Sequence, residues 1–545
     1  MSDPTSDDQA VSKQTKLAIT ADRFGGAPCP DAFNIARDIV AAGAERHPDA
    51  LALMVVAGPE SGDPISQMTY AELARAIEAM AGKLRAGGVT PGERVLIRLP
   101  NTPDYAFAVF ACFAIGAVAV PLSDQLTDAE LGWIVGDAEP ATAVVTLGMA
   151  SSALDCVPRH VVVGGEDHHG HDVAAHKGDF VYANTASDDP ALLIYTSGTT
   201  ARPKGVLHGH RMAWGRRPMA QGWYGLKRDD RLFHAGAFNW TFTLGTGLID
   251  PWMAGATAVI TTGPRSPDVW PALLRRTDAT MFAAVPGLIR QILKYARPGL
   301  RDLPLLRHGL IAGDTPPAGL FDDWMEATGT PLYEALGMSE ISTYISTGPD
   351  VPRKAGTLGK AQAGRAIAIL PEQGLSTSPV ARGEVGRLAV HRSDPGLMLG
   401  YWRREDEERD VFRGDWFIGG DLAAMDDDGY ITHHGRDNDV MKPLGYRVSP
   451  LEVEAALLTH PDIVDAACAE VEIKDGVRVV AAFVVVDEEG RNAERHSLSA
   501  DDVVIFAGER LAAYKCPRIV QFVDALPKTA NGKLTRAKLS DLLRR

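Results

Sequence analysis

The sequence predicts an α/β protein with a large N-terminal domain of mostly parallel βα sheets and a smaller α+β C-terminal domain. The chain has 545 residues, whereas a single hydrophobic core stops growing at ~250–300 residues. Short apolar segments that fit buried strands alternate with helical segments over most of the chain, which predicts parallel sheets covered on both faces. Near residue 435, the polar, turn-rich stretch GDLAAMDDDGYITHHGRDNDVMK precedes a segment with apolar elements of its own.

The first clear helix begins at a predicted capping box. Thr69 is followed three residues later by Glu72, and this spacing marks a helix N-terminus. Apolar residues then recur at helical spacing, at Leu73, Ile77, Met80 and Leu84. Gly87 and Gly88 predict the end of the helix, and residues 95–99 predict the next strand.

A long apolar segment comes next, at residues 105–122, with the sequence YAFAVFACFAIGAVAVPL. It contains no charged residue and reaches the lower limit of the ~17–25 residues that a membrane-spanning helix needs. Gly116 and Pro121 interrupt it, however. We therefore expect a buried helix, a turn and a buried strand rather than a membrane span.

The alternation of strands and helices continues to the end of the large domain. Further strands are predicted at 143–146, 161–163, 192–195, 256–261 and 310–312. The last part of the chain predicts apolar elements at 451–458, 464–471, 477–486 and 519–523, and a helix after Ser499. We expect a polar N-terminal segment at 1–29, a large domain at 30–435 and a small domain at 436–545.

The composition narrows the class of partner and the compartment. A formal net charge of −15 and a pI near 5.5 argue against a nucleic acid or an anionic membrane as partner. The start of the chain, MSDPTSDDQAVSKQTK, lacks the apolar centre of a signal peptide. Five cysteines without a CxxC pair predict reduced thiols and a cytoplasmic location, and a reactive cysteine is the less favoured interpretation.

A histidine-rich tract at residues 166–176, EDHHGHDVAAH, raises the question of a metal site. The tract has no other metal-ligand spacing. A solvated loop is therefore the favoured interpretation, and a metal site is the alternative.

A run of small residues follows the predicted strand at 192–195 and forms part of YTSGTTARPKG, residues 195–205. Small side chains let backbone N–H groups approach a phosphate, hydroxyl groups add donors, and Lys204 adds positive charge. The pattern GxxxxGK[ST] is absent, because Lys204 is followed by Gly205 and preceded by Pro203. The run therefore predicts a phosphate loop of another kind, with a plain flexible loop as the alternative.

Five motifs together resemble the adenylate-forming superfamily of acyl-CoA synthetases, luciferases and nonribosomal-peptide adenylation domains. They are YTSGTTARPKG, YEALGMSE (333–340), WFIGGD (416–421), GRDNDVMKPLGYRVSPLEVE (435–454) and LPKTANGKLTR (526–536). Their order and spacing match from about residue 30 to 545, and the form ALGMSE is similar to that of benzoate and medium-chain acid–CoA ligases. The resemblance adds a β-barrel-like region to the expected large domain and implies that the small domain is mobile.

The resemblance implies a two-step reaction. A carboxylate attacks the α-phosphate of ATP to give acyl-AMP and pyrophosphate, and coenzyme A then displaces AMP. Mg²⁺ and lysine are expected at the site, because a carboxylate and a triphosphate repel each other unless cations lie between them.

The resemblance also assigns residues to the nucleotide and to the catalytic groups. Lys204, Glu340 and Lys533 are the implied catalytic residues: Lys204 for the β- and γ-phosphates, Glu340 for Mg²⁺, and Lys533 between the attacking carboxylate and the α-phosphate. The implied nucleotide-binding residues, with Thr196 also at the metal, are Thr196, Ser197, Gly198, Thr199, Thr200, Gly313, Ser339, Asp421 and Arg436. Asp421 would accept the ribose hydroxyls.

The resemblance also implies a rotation of the small domain and assigns two further residues to it. Asn438 occupies the hinge position, where the family commonly has Asp or Lys, and Gly445 would line the thiol tunnel after the rotation. Other departures from the family pattern are Ala201 in the phosphate loop, Leu336 in place of an adenine-stacking aromatic, and Gly419 in place of a threonine. None of them removes a charged catalytic group.

The acid-binding region is expected in HAGAFNWTFTLGTGL, residues 234–248, together with Ala312–Gly313 and Ala335–Gly337. The candidate lining residues are His234, Phe238, Asn239, Trp240, Ala312 and Gly337, with Phe242 as a further apolar wall. No Lys or Arg lies in these stretches, so an uncharged aromatic or short- to medium-chain acyl group is favoured. For any one of these aromatic residues, a position in the core is the alternative.

Two other functions stay open at this point. A stand-alone adenylation enzyme would pass its acyl group to a carrier protein, but no carrier domain adjoins the adenylation motifs in this sequence, so coenzyme A is the favoured acceptor. A nucleotide-binding homologue without catalysis would bind ATP and release no pyrophosphate. Both a monomer and a homodimer are compatible with the sequence.

Overall fold

The architecture below comes from a computed structural model, which describes residues 16–149, 151–164, 180–196, 203–316, 319–436, 441, 443, 448–474, 477–486, 498–528 and 534–543. In these ranges the strands are, in chain order, β1 Leu51–Val56, β2 Ile65–Thr69, β3 Arg94–Arg98, β4 Val118–Leu122, β5 Thr142–Val145, β6 Arg159–Val162, β7 Pro190–Thr196, β8 Lys204–Gly209, β9 Arg231–His234, β10 Thr257–Thr261, β11 Met281–Ala284, β12 His308–Ala312, β13 Leu332–Met338, β14 Ser342–Ser346, β15 Lys360–Ala361, β16 Ile367–Leu370, β17 Gly386–His391, β18 Gly400–Tyr401, β19 Phe412–Arg413, β20 Trp416–Met425, β21 Ile431–Arg436, β22 Ile463–Lys474, β23 Val477–Val486 and β24 Ile519–Phe522.

The α-helices in the same ranges are α1 Ala42–Arg46, α2 Tyr70–Ala86, α3 Pro103–Ile115, α4 Asp128–Ala138, α5 Arg211–Trp214, α6 Arg217–Met219, α7 Thr241–Leu244, α8 Asp250–Ala254, α9 Trp270–Arg276, α10 Pro286–Ala296, α11 Leu320–Thr328, α12 Glu405–Asp410, α13 Pro450–Leu457, α14 Ala500–Gly508 and α15 Leu539–Leu542. Wider helical turns at Ala220–Tyr224 and Gly245–Ile249 extend two of them. Helix α7 therefore continues through Gly245–Ile249 into α8 without a break.

Two large sheets form the body of the protein, and most of their strand pairs are parallel. The nine-stranded sheet has the order β15-β14-β13-β12-β11-β9-β10-β1-β2, and the seven-stranded sheet has the order β18-β8-β7-β4-β3-β5-β6. Antiparallel pairs lie at the edges, such as β13 with β14 and β7 with β8. The predicted class of mostly parallel βα sheets is confirmed.

A third, antiparallel sheet curls into a half-barrel beside the two large ones. Its order is β16-β17-β20-β19, and β21 pairs with β20. This sheet carries the WFIGGD motif on β20, and it corresponds to the β-barrel-like region expected from the resemblance.

The local signals of the first βα units are borne out. Thr69 and Glu72 form a capping box at the start of α2. Helix α3 is buried from Tyr105 to Ile115, and Gly116 ends it with a left-handed φ of 73° before β4 begins. The apolar stretch at 105–122 is thus a helix, a turn and a strand, and among the described residues no helix has the length and apolar character to cross a membrane.

The residues after 436 form α+β structure with cores of their own. Strands β22, β23 and β24 make a three-stranded sheet. Two hydrophobic clusters on α13, β22, β23 and α14 contain only residues from this part of the chain. Arg290 of α10 contacts this part from the large domain, donating to the carbonyl oxygen of Val464 at 2.9 Å and lying 3.5 Å from the Asp465 carboxylate.

Candidate active site

Four of the predicted site residues lie where parallel strands of the nine-stranded sheet end, namely Ala312, Gly313, Ser339 and Glu340. Ala312 is the last residue of β12, and Gly313 follows it with a left-handed φ of 96°. The neighbouring strand β13 ends at Met338, and the turn after it carries Ser339 and Glu340. Ligands of open α/β sheets bind in the crevice outside the carboxyl ends of the strands, so this edge is the expected position for a nucleotide.

The turn that presents Glu340 is fixed by contacts from other parts of the chain. The backbone N–H of Met398 donates to the Glu340 carbonyl at 2.7 Å, and His208 Nε2 lies 2.8 Å from the Ser339 carbonyl. Burial lowers the pKa of His208 to about 4, so the ring is neutral near pH 7. Nε2 must carry the proton in order to donate to a carbonyl oxygen, and β8 therefore holds the turn from the seven-stranded sheet.

Tyr401 lies between the two predicted charged groups of the phosphate and metal site. Its hydroxyl donates to Glu340 Oε1 at 2.8 Å, and Lys204 Nζ lies 5.7 Å from the centre of its ring. The pairing of β18 with β8 brings Tyr401 beside Val206, two residues from Lys204. Burial, together with the charge of Glu340, raises the pKa of the Tyr401 hydroxyl, so it acts as a donor that orients the carboxylate.

Lys204 is positioned by a strand pair and by an acidic helix. The antiparallel pair β7–β8 places Lys204 opposite Thr196, so two predicted phosphate-site residues are neighbours. The ammonium group of Lys204 forms an ion pair with Glu407 of α12. Arg404, at the start of that helix, bonds Asp137 at 2.8 Å. No motif of the sequence indicates Tyr401 or Glu407. Glu407 lies in EDEE at 405–408, which has the pattern of a solvated surface helix.

Asp421 and Arg436 face each other across an antiparallel strand pair. The two residues are direct partners on β20 and β21, and Arg436 Nε lies 3.7 Å from Asp421 Oδ1. The carboxylate of Asp421 is buried, and His433 Nε2 lies 3.1 Å from the same oxygen. Gly420, with a φ of 86°, turns the backbone just before Asp421. The structure thus brings together the two residues predicted to hold the ribose and its phosphate.

The predicted acid-pocket residues divide into two groups. Trp240, Phe242, Ala312 and Ala335 belong to one apolar cluster, and a β-carbon at Gly313 would lie 3.7 Å from the Trp240 ring. Phe238, in contrast, packs in the main core, 5.7 Å from the centre of the Tyr105 ring.

The remaining predicted pocket residues lie beside that cluster or border it. The His234 ring is 4.4 Å from that of Phe242, and its Nδ1 accepts the N–H of Gly236 at 2.9 Å. Burial lowers the pKa of His234 to about 3, so it is neutral. Asn239 is half-buried between Phe238 and Trp240. Gly337 lies at a bulge of β13, where a β-carbon would meet the backbone of Ser342 at 2.6 Å.

One departure from the family pattern has a packing explanation. A β-carbon at Gly419 would come within 2.7 Å of the Met338 sulfur. The glycine therefore leaves room for the methionine that precedes Ser339. Leu336, at the position of the expected adenine-stacking aromatic, is partly buried against the cluster that includes Ile341 and Tyr344.

Several predicted residues lie outside the residues that the structure describes. They are Ser197, Gly198, Thr199, Thr200, Ala201, Asn438, Gly445 and Lys533, and the histidine tract at 166–176 lies there too. The segment that contains Lys533 is flanked by a bridge between Lys528 and Leu534. Next to it, Arg536 forms an ion pair with the buried Glu454 and donates to the Cys468 carbonyl at 2.9 Å.

The donor chemistry at the site fits Mg²⁺. Glu340 offers a carboxylate and Thr196 a hydroxyl, and both are the hard oxygen donors that Mg²⁺ prefers. Within the described part of the chain, no group of three or more His, Cys, Asp or Glu side chains could form a metal cage. Mg²⁺ bound with phosphates usually takes one or two carboxylates together with the phosphate oxygens, and Glu340 would supply such a carboxylate.

Comparison with known proteins identifies the family. Residues 40–402 match the AMP-binding enzyme family, and residues 452–533 match the AMP-binding enzyme C-terminal domain. The chain belongs to the AMP-binding enzyme family.

Relatives of known activity match over nearly the whole chain. The 3-hydroxybenzoate–CoA ligase of Aromatoleum sp. (strain CIB) is 29% identical over 494 residues, which cover 88% of this chain and 92% of the relative. The benzoate–CoA ligase of Thauera aromatica is 30% identical over 487 residues, with 88% and 91% covered.

Solved structures agree with these matches. The crystal structure of the anthranilate CoA ligase AuaEII with anthranoyl-AMP has a TM-score of 0.83 at 27% identity and covers 94% of this chain and 98% of its own. That of a benzoate CoA ligase from Burkholderia xenovorans LB400 has a TM-score of 0.79 at 27% identity, with 93% and 99% covered. This chain is an AMP-forming acid–CoA ligase, which activates its acid with ATP as acyl-AMP and uses coenzyme A as co-substrate.

Proposed function

We propose that the acid is an uncharged one, either aromatic or short- to medium-chain aliphatic. The observation that supports this is the apolar cluster of Trp240, Phe242, Ala312 and Ala335 at the strand ends. His234, which packs beside it, is neutral because burial lowers its pKa to about 3. An acid with a second carboxylate would leave that charge unpaired among these side chains, at a high desolvation cost. Relatives named for benzoate and hydroxybenzoate favour the aromatic choice.

In the adenylation step, the chain's own groups orient the triphosphate and the acid. Lys204 leaves its ion pair with Glu407 and binds the β- and γ-phosphates. The Tyr401 hydroxyl orients the Glu340 carboxylate, which would hold Mg²⁺. When bound, Mg²⁺ supplies positive charge that reduces the repulsion between carboxylate and triphosphate. Asp421 accepts the ribose hydroxyls, and Lys533 bridges the acid carboxylate and the α-phosphate. Lys204 and Lys533 act where negative charges approach one another, and fixed cations have their largest effect there.

We propose that the boundary between the domains lies at about residues 436–439, just after β21 ends at Arg436, with Asn438 as the hinge. The separate cores after residue 436 support this division. Rotation about the hinge would remove Lys533 after adenylation and bring Gly445 to the thiol tunnel, so that a single movement separates the two half-reactions.

Five free cysteines support a cytoplasmic location.

The test of the activity and of the acid is pyrophosphate release from Mg·ATP with a panel of carboxylic acids, with and without coenzyme A. We expect release that depends on the acid and accelerates with coenzyme A, fastest with uncharged aromatic or medium-chain acids. Absence of release with every acid would contradict the function. A preference for dicarboxylic acids would contradict the proposed pocket.

The role of Lys533 is tested by separating the half-reactions. Lys533→Ala should abolish acid-dependent pyrophosphate release and spare thioester formation from supplied acyl-AMP. The matched control is Lys538→Ala, which removes the same charge at an exposed position on the same segment. Equal loss of both half-reactions in Lys533→Ala would contradict the assignment.

A further inference from the structure

A buried ionic cluster lies behind the helix that carries the acid-pocket residues. Arg216 and Asp250 are each 1% exposed. Arg216 donates from Nε and Nη2 to the two carboxylate oxygens of Asp250, both at 2.7 Å. The hydroxyl of Tyr224 donates to Asp250 Oδ2 at 2.6 Å, and Arg216 Nη2 contacts Thr246 Oγ1 at 3.3 Å. With its charge balanced and its plane fixed by two parallel bonds, the guanidinium group is a rigid anchor.

The remaining nitrogen of Arg216 extends from this cluster to the turn that carries Glu340. Arg216 Nη1 donates to the hydroxyl of Ser342, which is two residues after Glu340 and pairs with Met338 across the turn. Ser342 has a φ of 71°, one of four positive values at non-glycine residues among those described. A left-handed backbone is unfavourable for serine and persists where the surroundings hold it. The bond from Arg216 is such a restraint.

The bond from Arg216 complements the contacts on the other side of the turn. His208 and Met398 bond the carbonyl groups of Ser339 and Glu340 from the seven-stranded sheet and the loop before β18. Arg216 contacts the opposite side of the turn, where it bonds the side chain of Ser342, the residue that closes the turn. The backbone that directs the Glu340 carboxylate is therefore held from two sides. On one side the link runs through Arg216 to Asp250, which lies in the helical segment 241–254. Trp240 immediately precedes this segment.

From this geometry we infer that Arg216 is a positioning residue for Glu340, which acts through the hydroxyl of Ser342 and ties the metal carboxylate to the helix of the acid pocket. The inference rests on the proposed role of Glu340 at Mg²⁺. It adds two residues, Arg216 and Ser342, that no motif of the sequence indicates. Neither is expected to touch ATP, Mg²⁺ or the acid.

The test removes the link without opening the ionic cluster. Ser342→Ala deletes the hydroxyl that accepts from Arg216 and leaves the pair with Asp250 intact. Ser342→Asn is the rescue variant, because asparagine tolerates a left-handed backbone and its side-chain oxygen accepts a hydrogen bond. Tyr224→Phe is the matched control, since it removes one hydroxyl from the same cluster but none from the turn.

Calorimetry would measure binding of α,β-methylene-ATP with Mg²⁺ and, separately, with EDTA. In Ser342→Ala we expect the gain in affinity from Mg²⁺ to fall about tenfold, the size of one hydrogen bond to a charged donor, with metal-free binding unchanged. Ser342→Asn should restore most of that gain, and Tyr224→Phe should keep it while lowering the melting temperature. The Mg²⁺ concentration for half-maximal pyrophosphate release should rise in parallel in Ser342→Ala only.

Two results would overturn the inference. If Ser342→Ala and Tyr224→Phe lower the melting temperature alike and both keep the full Mg²⁺-dependent gain, the cluster is only structural. If both lose the gain equally, the effect does not pass through Ser342. Wild-type protein that releases no pyrophosphate with any acid would refute the proposed function itself, and the inference would fall with it.

Discussion

Lowering the pH from 7.5 to 5.0 is expected to destabilise this protein strongly, because four buried histidines are neutral in the folded state. Burial lowers their pKa values to about 4 in three cases and about 3 in one. They are His208, His210, His308 and, with the lowest value, His234. An unfolded histidine has a pKa near 6.5, so the unfolded chain takes up protons first as the pH falls. The contribution of these neutral histidines to the free energy of unfolding is complete above about pH 6.5 and is lost progressively towards pH 4.

The size of the effect follows from proton linkage. A histidine with a folded pKa of about 4 and an unfolded pKa of about 6.5 loses about 2 kcal/mol between pH 7.5 and 5.0, so four contribute a loss of about 8 kcal/mol at most. Glu334 opposes them, because burial raises its pKa to about 8. A carboxyl group that stays protonated in the folded state gains about 3 kcal/mol over the same interval. The net loss of about 5 kcal/mol is comparable with the whole stability of many domains.

The assay is urea unfolding followed by tryptophan fluorescence at pH 7.5, 6.0 and 5.0, compared between the wild type and His308→Gln. His308 Nε2 lies 2.7 Å from the Tyr224 carbonyl, and glutamine can still donate there but cannot titrate. The variant should lose about 2 kcal/mol less than the wild type on acidification. An unfolding free energy that does not fall towards pH 5.0, or an identical pH slope in His308→Gln, would refute the reasoning.

Three further predictions concern the site. Tyr401→Phe removes the donor to the Glu340 carboxylate and should slow pyrophosphate release about 10- to 100-fold, whereas thioester formation from supplied acyl-AMP should keep its rate; an unchanged release rate would show that the hydroxyl does not orient Glu340. Glu407→Gln frees Lys204 from its ion pair and should lower the KM for ATP by at most about fivefold, as expected for a partly exposed pair, and a higher KM would mean that Glu407 assists ATP binding. Trp240→Ala should reduce kcat/KM for a small aromatic acid at least about tenfold and favour bulkier acids; an unaltered ranking of acids would place this ring outside the pocket.

Local signals in the sequence were sufficient for the helices and strands near the N-terminus. The capping box at Thr69 and the glycine at 116 act over a few residues, and both took the predicted conformation. The contact of Tyr401 with Glu340 joins residues 61 positions apart, and that of Arg216 with Ser342 joins residues 126 apart. Such contacts depend on which strands pair and how helices pack, and no short pattern in the sequence encodes them.

The aromatic residues of the acid region show the same limit at close range. Phe238 and Trp240 are two positions apart, and the sequence predicts both as apolar walls of the acid pocket. In the structure, Phe238 packs with Tyr105 in the core, whereas Trp240 immediately precedes α7 and lies beside Gly313. Which ring faces the pocket depends on how the chain enters α7, and composition alone does not determine that direction.

The pairing of Asp421 with Arg436 has a consequence for the catalytic cycle. These residues are direct partners on β20 and β21, and Arg436 is the last residue of its strand. If the small domain rotates about the proposed hinge at Asn438, the pivot begins after Arg436 and leaves this cross-strand pair in register. The proposed ribose site would then stay intact during the rotation. On this proposal, retention of the intermediate and the speed of the rotation would be independent properties. Substitutions near Asn438 would then change how fast the enzyme cycles without increasing the escape of acyl-AMP to solvent.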